Sequence, residues 1–193
     1  SYSADSSHAE VEKMHYPKAG DKNSLVQIGV VNVDDKAMRW LDLGTNPDIY
    51  IPRVKWTNDP NVLSVQRLNR GQDTLELMLA NVTIGSMKTI LTETDTAWLE
   101  VERDDLTFLK DGKRFIWVSW KDGFTHIYLH SLDGTLERQL TKGAWDVSDI
   151  VGVDENAGVV YFIAAKENAL ERHLYSVKLD GSSLKKLTTE PGW

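Results

Sequence analysis

Three Asp-Gly pairs follow one another at a constant spacing in the middle of this sequence. They are Asp111-Gly112, Asp122-Gly123 and Asp133-Gly134, each beginning 11 residues after the previous one, with runs rich in Phe, Ile, Trp, Val, Tyr and Leu between them. Asp-Gly between apolar runs is a strong hairpin signal, because the tight turns that match strand twist need positive φ at their central residues. The stretch is therefore predicted to form a meander of four antiparallel strands: Leu106–Leu109, Lys113–Trp120, Thr125–Leu132 and Thr135–Leu140.

The same unit recurs along the chain with a period close to 50 residues. The leucines of three Leu-Thr pairs are 49 and 47 residues apart, and a Trp follows each pair. A period of about 40–50 residues that carries four strands is typical of a β-propeller blade. An ordinary β-sandwich also has regularly spaced strands, but it gives no reason why a Leu-Thr pair and a Trp should recur at one fixed position of the repeat. The pairs and their tryptophans are Leu91-Thr92 with Trp98, Leu140-Thr141 with Trp145, and Leu187-Thr188 with Trp193.

The repeat divides the chain into one arm and a series of blades. Residues 1–24 are predicted to be a polar arm, residues 25–49 a half blade, and residues 50–97, 98–145 and 146–193 complete blades. The predicted fold is all-β: the chain is a single fragment of a β-propeller domain, with about three and a half four-stranded antiparallel blades. Because propellers close with about 4–8 blades, this chain is expected to be part of a larger ring.

The central strands of the predicted blades are apolar on both faces. In the strand that ends at Trp120, Phe115 and Trp117 are predicted to point one way, while Ile116, Val118 and Trp120 point the other way. A strand buried on both faces fits a sheet that lies between two neighbouring sheets. The pattern therefore favours blades that pack face to face.

Composition excludes several classes of protein. Seven Trp and 41% apolar residues are incompatible with a disordered chain. A net charge of −7 argues against a nucleic-acid partner, because phosphate binding needs a concentrated Lys and Arg surface. No apolar run approaches the length of about 20 residues that spans a bilayer, and no signal-peptide pattern occurs. The absence of Cys excludes a disulfide framework and a thiolate metal site.

Particular residues, beyond the period itself, resemble a known family. The stretches Tyr16-Pro-Lys-Ala-Gly20, Val30-Val-Asn32 and Tyr50-Ile-Pro-Arg-Val-Lys-Trp56 are similar to the propeller domain of dipeptidyl peptidase IV and its bacterial relatives. Trp98 and Leu140-Thr-Lys-Gly-Ala-Trp-Asp-Val147 extend the likeness, which runs in order from about Tyr16 to the C-terminus.

The resemblance implies an eight-bladed propeller that caps an α/β-hydrolase domain with a Ser–Asp–His triad. Enzymes of this family remove dipeptides from the N-terminus of peptides whose second residue is usually proline. The resemblance implies that propeller and hydrolase enclose a cavity that admits slender peptides. It also implies that the glutamate pair for the substrate's amino group lies upstream of Ser1, and that the hydrolase domain lies downstream of Trp193. An extracytoplasmic location, periplasmic or secreted, is expected on the same ground.

Serine chemistry is not expected in this chain. The nucleophile of such enzymes stands in Gly-x-Ser-x-Gly on a strand-to-helix turn, and no such motif occurs. The pairs Gly85-Ser86 and Gly181-Ser182 are predicted to lie in hairpin turns, where serine is an ordinary turn residue. The chain is therefore predicted to lack catalytic residues, and no cofactor is expected, since no glycine-rich phosphate loop occurs either.

Two histidines are candidate metal ligands by their spacing. His126 and His130 share one face of a predicted strand with Tyr128, so two imidazoles could face a metal ion. No third ligand stands at a usable spacing, and His-x3-His is a metal signature on helices. A surface or blade-packing role is favoured, and no metal site is predicted.

The densest polar run, residues 100–105, follows Trp98 and is predicted to loop over one rim of the ring. By the resemblance, Arg103 aligns with an arginine that contacts the extended substrate. Glu102 stands where the family has an aromatic residue, and the spacing differs by one residue. Glu102 and Arg103 are therefore the candidate peptide-binding residues. The alternative is a solvated acidic loop with local Arg–carboxylate pairs, which contribute little to stability.

Two functions from different classes remain open at this point. The chain is either a non-catalytic propeller segment of a dipeptidyl peptidase IV-like serine exopeptidase, or a propeller scaffold that binds proteins or peptides without a linked enzyme. The first reading gives it a peptide substrate and the hydrolase domain as partners. In both, an apolar blade face left open at either end would favour self-association, so a homo-oligomer is expected.

Overall fold

The computed structural model describes residues 17, 18, 20–101, 104 and 106–190. These residues form 14 strands and no helix, so none of them belongs to a helix that could cross a membrane. The strands make three four-stranded sheets and one two-stranded sheet, and every pairing is antiparallel between neighbours in sequence. The prediction of a partial β-propeller with three and a half blades is confirmed. The segment boundaries drawn from the sequence stay a prediction.

The sheets follow one another along the chain. The two-stranded sheet, here the half blade, consists of β1 (Gly29–Val31) and β2 (Met38–Trp40). The first blade consists of β3 (Ile49–Trp56), β4 (Val62–Asn69), β5 (Thr74–Asn81) and β6 (Met87–Thr94). The second blade consists of β7 (Leu106–Phe108), β8 (Arg114–Ser119), β9 (His126–Ser131) and β10 (Leu136–Gln139). The third blade consists of β11 (Val147–Asp154), β12 (Val159–Ala164), β13 (His173–Lys178) and β14 (Lys185–Lys186).

Three of the strands at sheet edges are shorter than the apolar pattern suggests. The sequence favours strands over residues 25–33, 38–43 and 183–187, whereas β1, β2 and β14 contain three, three and two residues. Each of these strands has a hydrogen-bonded neighbour on one side only. Backbone pairing nevertheless continues beyond the end of β2, where Leu41 N donates to Ile28 O at 2.9 Å.

The Asp-Gly turns differ from the tightest hairpin type in one respect. Only their glycines have positive φ, at 65° for Gly112, 86° for Gly123 and 98° for Gly134, while the aspartates do not. The loops are long enough for a type I turn that ends on a left-handed glycine, which requires positive φ at one position. The aspartate instead caps the turn through its side chain, as where Asp111 Oδ1 accepts hydrogen bonds from the backbone of Lys113 and Arg114.

The hydrophobic core is divided into three clusters, one between each pair of neighbouring sheets. Strand β8 shows why, because its side chains alternate between two clusters. Phe115 and Trp117 pack with Leu68, Leu75 and Leu77 of the first blade. The next cluster joins the second blade to the third and contains Ile116, Val118, Ile127, Leu129, Val160, Phe162 and Tyr175. A third cluster, with Leu41, Leu43, Leu63, Val65 and Ala80, joins the half blade to the first blade.

Trp120 lies on the face opposite to the one predicted. Strict alternation would place it with Ile116 and Val118, but it packs against the cluster of Phe115 and Trp117. The reason is that β8 ends at Ser119, so Trp120 already belongs to the turn and no longer follows the strand period.

The recurrent Leu-Thr pair has a structural explanation in two blades. The Thr141 hydroxyl accepts a hydrogen bond from Ile127 N at 3.0 Å and lies 3.2 Å from His126 Nδ1. Thr188 repeats this arrangement with Leu174 N and with the imidazole of His173, both at 3.1 Å. The threonine thus ties the end of the fourth strand to the start of the third. Thr141 is buried, so its hydroxyl has to be paired in this way.

A second repeated contact joins each blade to the preceding sheet. Gly85, Gly134 and Gly181 are 49 and 47 residues apart, have positive φ, and each lies in the hairpin between the third and fourth strands. A Cβ at Gly134 would lie 1.6 Å from Ile90 O on the fourth strand of the first blade, and one at Gly85 would lie 2.9 Å from Trp40 O. The close approach of two backbones therefore requires glycine at Gly85 and Gly134.

We expect the change Gly134→Ala to lower the free energy of unfolding of the chain by about 2–4 kcal/mol. The added methyl group would both strain a positive-φ residue and push the second blade away from Ile90. Gly112→Ala is the matched control, because Gly112 has φ 65° but no atom near its Cβ position. The Gly112→Ala change should lower the free energy of unfolding by about 1 kcal/mol. Urea unfolding followed by tryptophan fluorescence measures both changes, and equal losses would contradict the proposed packing contact.

Candidate functional site

Two connections meet at one rim between the first and second blades. Residues 95–105 lead from the end of β6 to the start of β7, and residues 120–125 join β8 to β9. In an up-and-down sheet, the connection that enters the first strand and the hairpin between the second and third strands lie at the same end. The predicted substrate-contact loop therefore shares its rim with a hairpin of the second blade.

Two basic side chains of β3 hold the ends of the loop that contains residues 102 and 103. Arg53 Nη2 donates to Val101 O at 3.3 Å on the near side. Lys55 Nζ donates to Asp104 Oδ2 and to Leu106 O, both at 2.8 Å, on the far side. Because Arg53 and Lys55 are two apart on a strand, both point to the second blade. The loop is thus anchored across the blade boundary at both ends.

A cavity of about 300 Å³ lies beside these anchors. Its lining is mostly polar and includes Arg53, Lys55, Ser64, Gln66 and Asp104. Ser64 and Gln66 are buried, and Ser64 Oγ donates to Lys55 O at 2.7 Å. Gln66 pairs with Arg53 in the register between β3 and β4. This part of the boundary between the blades is therefore polar, although the cluster beside it is apolar.

The candidate residues Glu102 and Arg103 lie outside the described residues. The described ends of their loop are Val101 and Asp104, which are the two points that the first blade contacts. Sequence reasoning found the loop but missed Arg53 and Lys55. The sequence did carry a signal for them, because cationic residues occupy alternate positions in the strand Ile51-Pro52-Arg53-Val54-Lys55-Trp56. This alternation predicts one polar face on a strand of an otherwise apolar sheet.

A second cavity, of about 430 Å³, opens on the same rim. It lies between the end of β6 and the hairpin after β8, and Glu93, Asp95, Leu99, Trp120 and Lys121 are among its lining residues. Burial raises the pKa of the Glu93 carboxyl above its ordinary value. The hydroxyl of Ser119, the indole of Trp117 and the charge of Lys121 oppose this change only in part.

The two candidate metal-ligand histidines, His126 and His130, pack inside the second blade. His126 and His130 are buried on the face of β9 that is turned to the first blade. His130 stacks on Phe115 with 5.2 Å between ring centroids, and its Nδ1–H donates to Gly134 O at 2.9 Å. Burial lowers the pKa of His130, which keeps the imidazole neutral. The blade-packing alternative describes both residues, since the ring of His126 also meets Trp145 edge to face.

Sequence reasoning also missed a repeated tyrosine–carboxylate pair. Tyr128 Oη donates to Asp122 Oδ2 at 2.7 Å, and Tyr175 makes the same contact with Glu167. In both blades the acid stands in the hairpin that precedes the third strand. Burial and the nearby carboxylate raise the pKa of each phenol, so the hydroxyls stay protonated as donors. The sequence signal for this pair was a Tyr that recurs at one position of the repeat, with an acidic residue six or eight positions before it.

The serines that the sequence analysis considered lie in turns. Gly85 and Ser86 connect β5 to β6, and Ser182 N donates to Asp180 Oδ1 in the turn before β14, so these residues are turn formers. Among the described residues, no group of three His, Cys, Asp or Glu side chains could hold a metal ion. What the rim offers is hydrogen bonding, charge and two cavities, which suits binding.

Comparison with known proteins identifies the family. The family model described as the dipeptidyl peptidase IV (DPP IV) N-terminal region matches residues 1–193. A probable dipeptidyl-aminopeptidase B of Fusarium vanettenii is 34% identical over 197 residues, which is 94% of this chain and 21% of the relative. A probable dipeptidyl-aminopeptidase B of Coccidioides posadasii is 33% identical over 196 residues, with the same coverage.

Solved structures agree with this result. Porphyromonas gingivalis dipeptidyl peptidase 4 matches with a TM-score of 0.88 and 34% identity, over 98% of this chain and 27% of that one. A putative dipeptidyl aminopeptidase IV of Bacteroides ovatus matches with a TM-score of 0.81 and 25% identity, over 93% and 28%. The chain thus spans between about a fifth and just over a quarter of the relatives' length. It belongs to the dipeptidyl peptidase IV N-terminal region family.

Proposed function

We propose that this chain is the non-catalytic propeller segment of a serine exopeptidase that removes X-Pro dipeptides from peptide N-termini. In this proposal an eight-bladed propeller gates access and helps to bind the peptide, and a linked α/β-hydrolase domain supplies the catalytic triad. The observation that carries it is the family match along the whole chain, together with the likeness to Porphyromonas gingivalis dipeptidyl peptidase 4. An extracytoplasmic location, periplasmic or secreted, belongs to the same proposal and is supported by the resemblance alone.

The proposed role of the loop rests on how its ends are held. Arg53 and Lys55 contact Val101 and Asp104, the described residues on either side of positions 102 and 103. A guanidinium can bind a peptide carbonyl or carboxylate through two parallel hydrogen bonds. Arg103 is therefore proposed as the peptide contact, with Glu102 beside it.

We expect the full-length protein that carries this chain to hydrolyse Gly-Pro-p-nitroanilide, and the 193-residue chain alone to show only background. The chain contains no Gly-x-Ser-x-Gly nucleophile motif. Release of nitroaniline and its inhibition by a serine-reactive fluorophosphonate measure this. A full-length protein that binds peptides but shows no inhibitable hydrolysis would favour the scaffold function, and turnover by the chain alone would refute the non-catalytic role.

The change Arg103→Ala in the full-length protein should raise KM for an X-Pro tripeptide about tenfold and leave kcat nearly unchanged. Loss of one charge-assisted contact made in both ground and transition states has this kinetic signature. Glu102→Gln should have a smaller effect on KM. Arg138→Ala is the charge-matched control, because Arg138 is exposed on the fourth strand of the second blade. Equal KM values for the Arg103 and Arg138 variants would contradict the proposed contact.

Self-association of the isolated chain is a further expectation. Val31 and Met38 face each other across the half blade and are 46% and 59% exposed, with Trp40 of the same sheet 56% exposed. An apolar patch of this kind favours association in water. We expect the wild-type chain to form dimers or larger species, and the double change Val31→Lys with Met38→Lys to reduce them. Light scattering measures this, and Leu170→Lys is the control, since Leu170 is 80% exposed but lies outside the strands.

A further inference from the structure

The cavity at the end of β6 is lined by two carboxylates, several hydroxyl groups and apolar side chains. Glu93 also lines a smaller cavity further inside, which it shares with Leu99, Trp117 and Trp120. Leu91 and Leu99 are largely shielded from solvent, and the Trp120 indole forms part of the wall. A ligand in this cavity would therefore contact both apolar side chains and the Glu93 carboxylate.

The Glu93 carboxylate lacks a cationic partner. Within the described part of the chain, no Lys, Arg or His nitrogen lies within ion-pair distance of it. Burial of a carboxylate without a counter-charge is unfavourable, and the raised pKa of Glu93 reflects this cost. At the mouth, Asp95 adds a second carboxylate, of which Oδ1 accepts hydrogen bonds from the backbone of Ala97 and Trp98. The cavity therefore has uncompensated negative charge.

Trp117 provides an independent sign of a binding cavity. Its side chain is 2% exposed, and its Nε1–H has no hydrogen-bond partner among the described residues. The indole lines the inner cavity together with Glu93 and helps to lower the pKa of that carboxyl. The Ser119 hydroxyl has the same effect. These two buried donors offset only part of the rise that burial causes in the pKa of Glu93.

Among the described residues that line this cavity, Lys121 is the one cation, and its charge is engaged elsewhere. Lys121 Nζ lies 3.9 Å from the centre of the Tyr128 ring, in a cation–π contact. It lines the cavity wall but makes no ion pair with Glu93. Its charge lowers the pKa of Glu93 without neutralising the carboxylate. An incoming cation would therefore meet an available carboxylate and a modest repulsion from Lys121.

We propose that this cavity binds the basic side chain of a peptide, an alkylammonium or guanidinium group on an aliphatic stem. The cation would pair with Glu93, and the stem would lie along Leu91, Leu99 and Trp120, as long basic side chains lie on apolar surfaces elsewhere. The volume of about 430 Å³ accommodates an arginine or lysine side chain. A net charge of −7 favours the approach of such a ligand.

The source of the ligand rests on the proposed function. The cavity shares its rim with the loop of residues 100–105, so a peptide held by that loop could place a basic residue in the cavity. Binding itself can be measured on the 193-residue chain without any hydrolysis. A failure of X-Pro cleavage by the full-length protein would therefore not affect the binding result. A failure of arginine binding would likewise not affect the cleavage result.

The test is a titration of the 15N-labelled chain with N-acetyl-arginine methylamide, followed through the indole N–H resonances of Trp117 and Trp120. We expect saturable shifts, and at least tenfold weaker binding of N-acetyl-norleucine methylamide, which has a similar stem without the charge. Glu93→Gln should weaken arginine binding at least tenfold. Glu137→Gln is the matched control, since Glu137 is exposed on β10, and it should bind within twofold of the wild type.

A second variant keeps the test decisive if Glu93→Gln unfolds the chain. Lys121→Met removes the competing cation at the wall and should tighten arginine binding about threefold or more, a gain that loss of structure cannot produce. The proposal is overturned if norleucine binds as well as arginine, if N-acetyl-glutamate methylamide binds more tightly, or if a folded Glu93→Gln chain binds arginine normally. It is also overturned if Lys121→Met leaves the affinity unchanged.

Discussion

Burial of sheet faces between neighbouring blades is the interaction on which the rest of this structure depends. Every apolar cluster lies between two sheets, so no sheet has a core of its own. Strand β8 shows the consequence, because Phe115 is buried against one neighbour and Ile116 against the other. Each blade is therefore stabilised largely by its neighbours, and interfaces between sheets contribute a large part of the free energy of folding.

The details of the repeat are set by polar and backbone contacts at the ends of these faces. Gly134 brings one blade against the edge strand of the preceding sheet, where any side chain would collide with Ile90. Thr141 joins the fourth strand to the third inside one blade. Apolar positions accept several residue types of similar volume, whereas these contacts accept one or two. This explains why Gly and Thr mark the period more sharply than the apolar residues do.

The fold could be predicted from the sequence, and the candidate site only in part. Strands, turns and the burial of both faces of β8 are determined by residues close together in sequence. The same local pattern recurs three times, with a period of 47–49 residues, which makes it easier to recognise. The contacts of Lys55 with Asp104 and Leu106 join residues about 50 positions apart in sequence, and no other blade repeats them. Trp120 was misplaced because the end of a strand is set by its partner strand, not by its own residues.

Function in such a repeat is expected where one copy departs from the pattern of the others. In the second blade, Leu106 of β7 pairs with Trp117 of β8 on the face turned to the first blade. This pair is apolar. On the facing side, the first blade pairs Arg53 with Gln66, although a hydrocarbon pair would stabilise the boundary at lower desolvation cost. Polar groups placed there are better explained by what they hold or bind than by stability. The same reasoning applies to Glu93, a half-buried carboxylate with a raised pKa that has no ion-pair partner among the described residues.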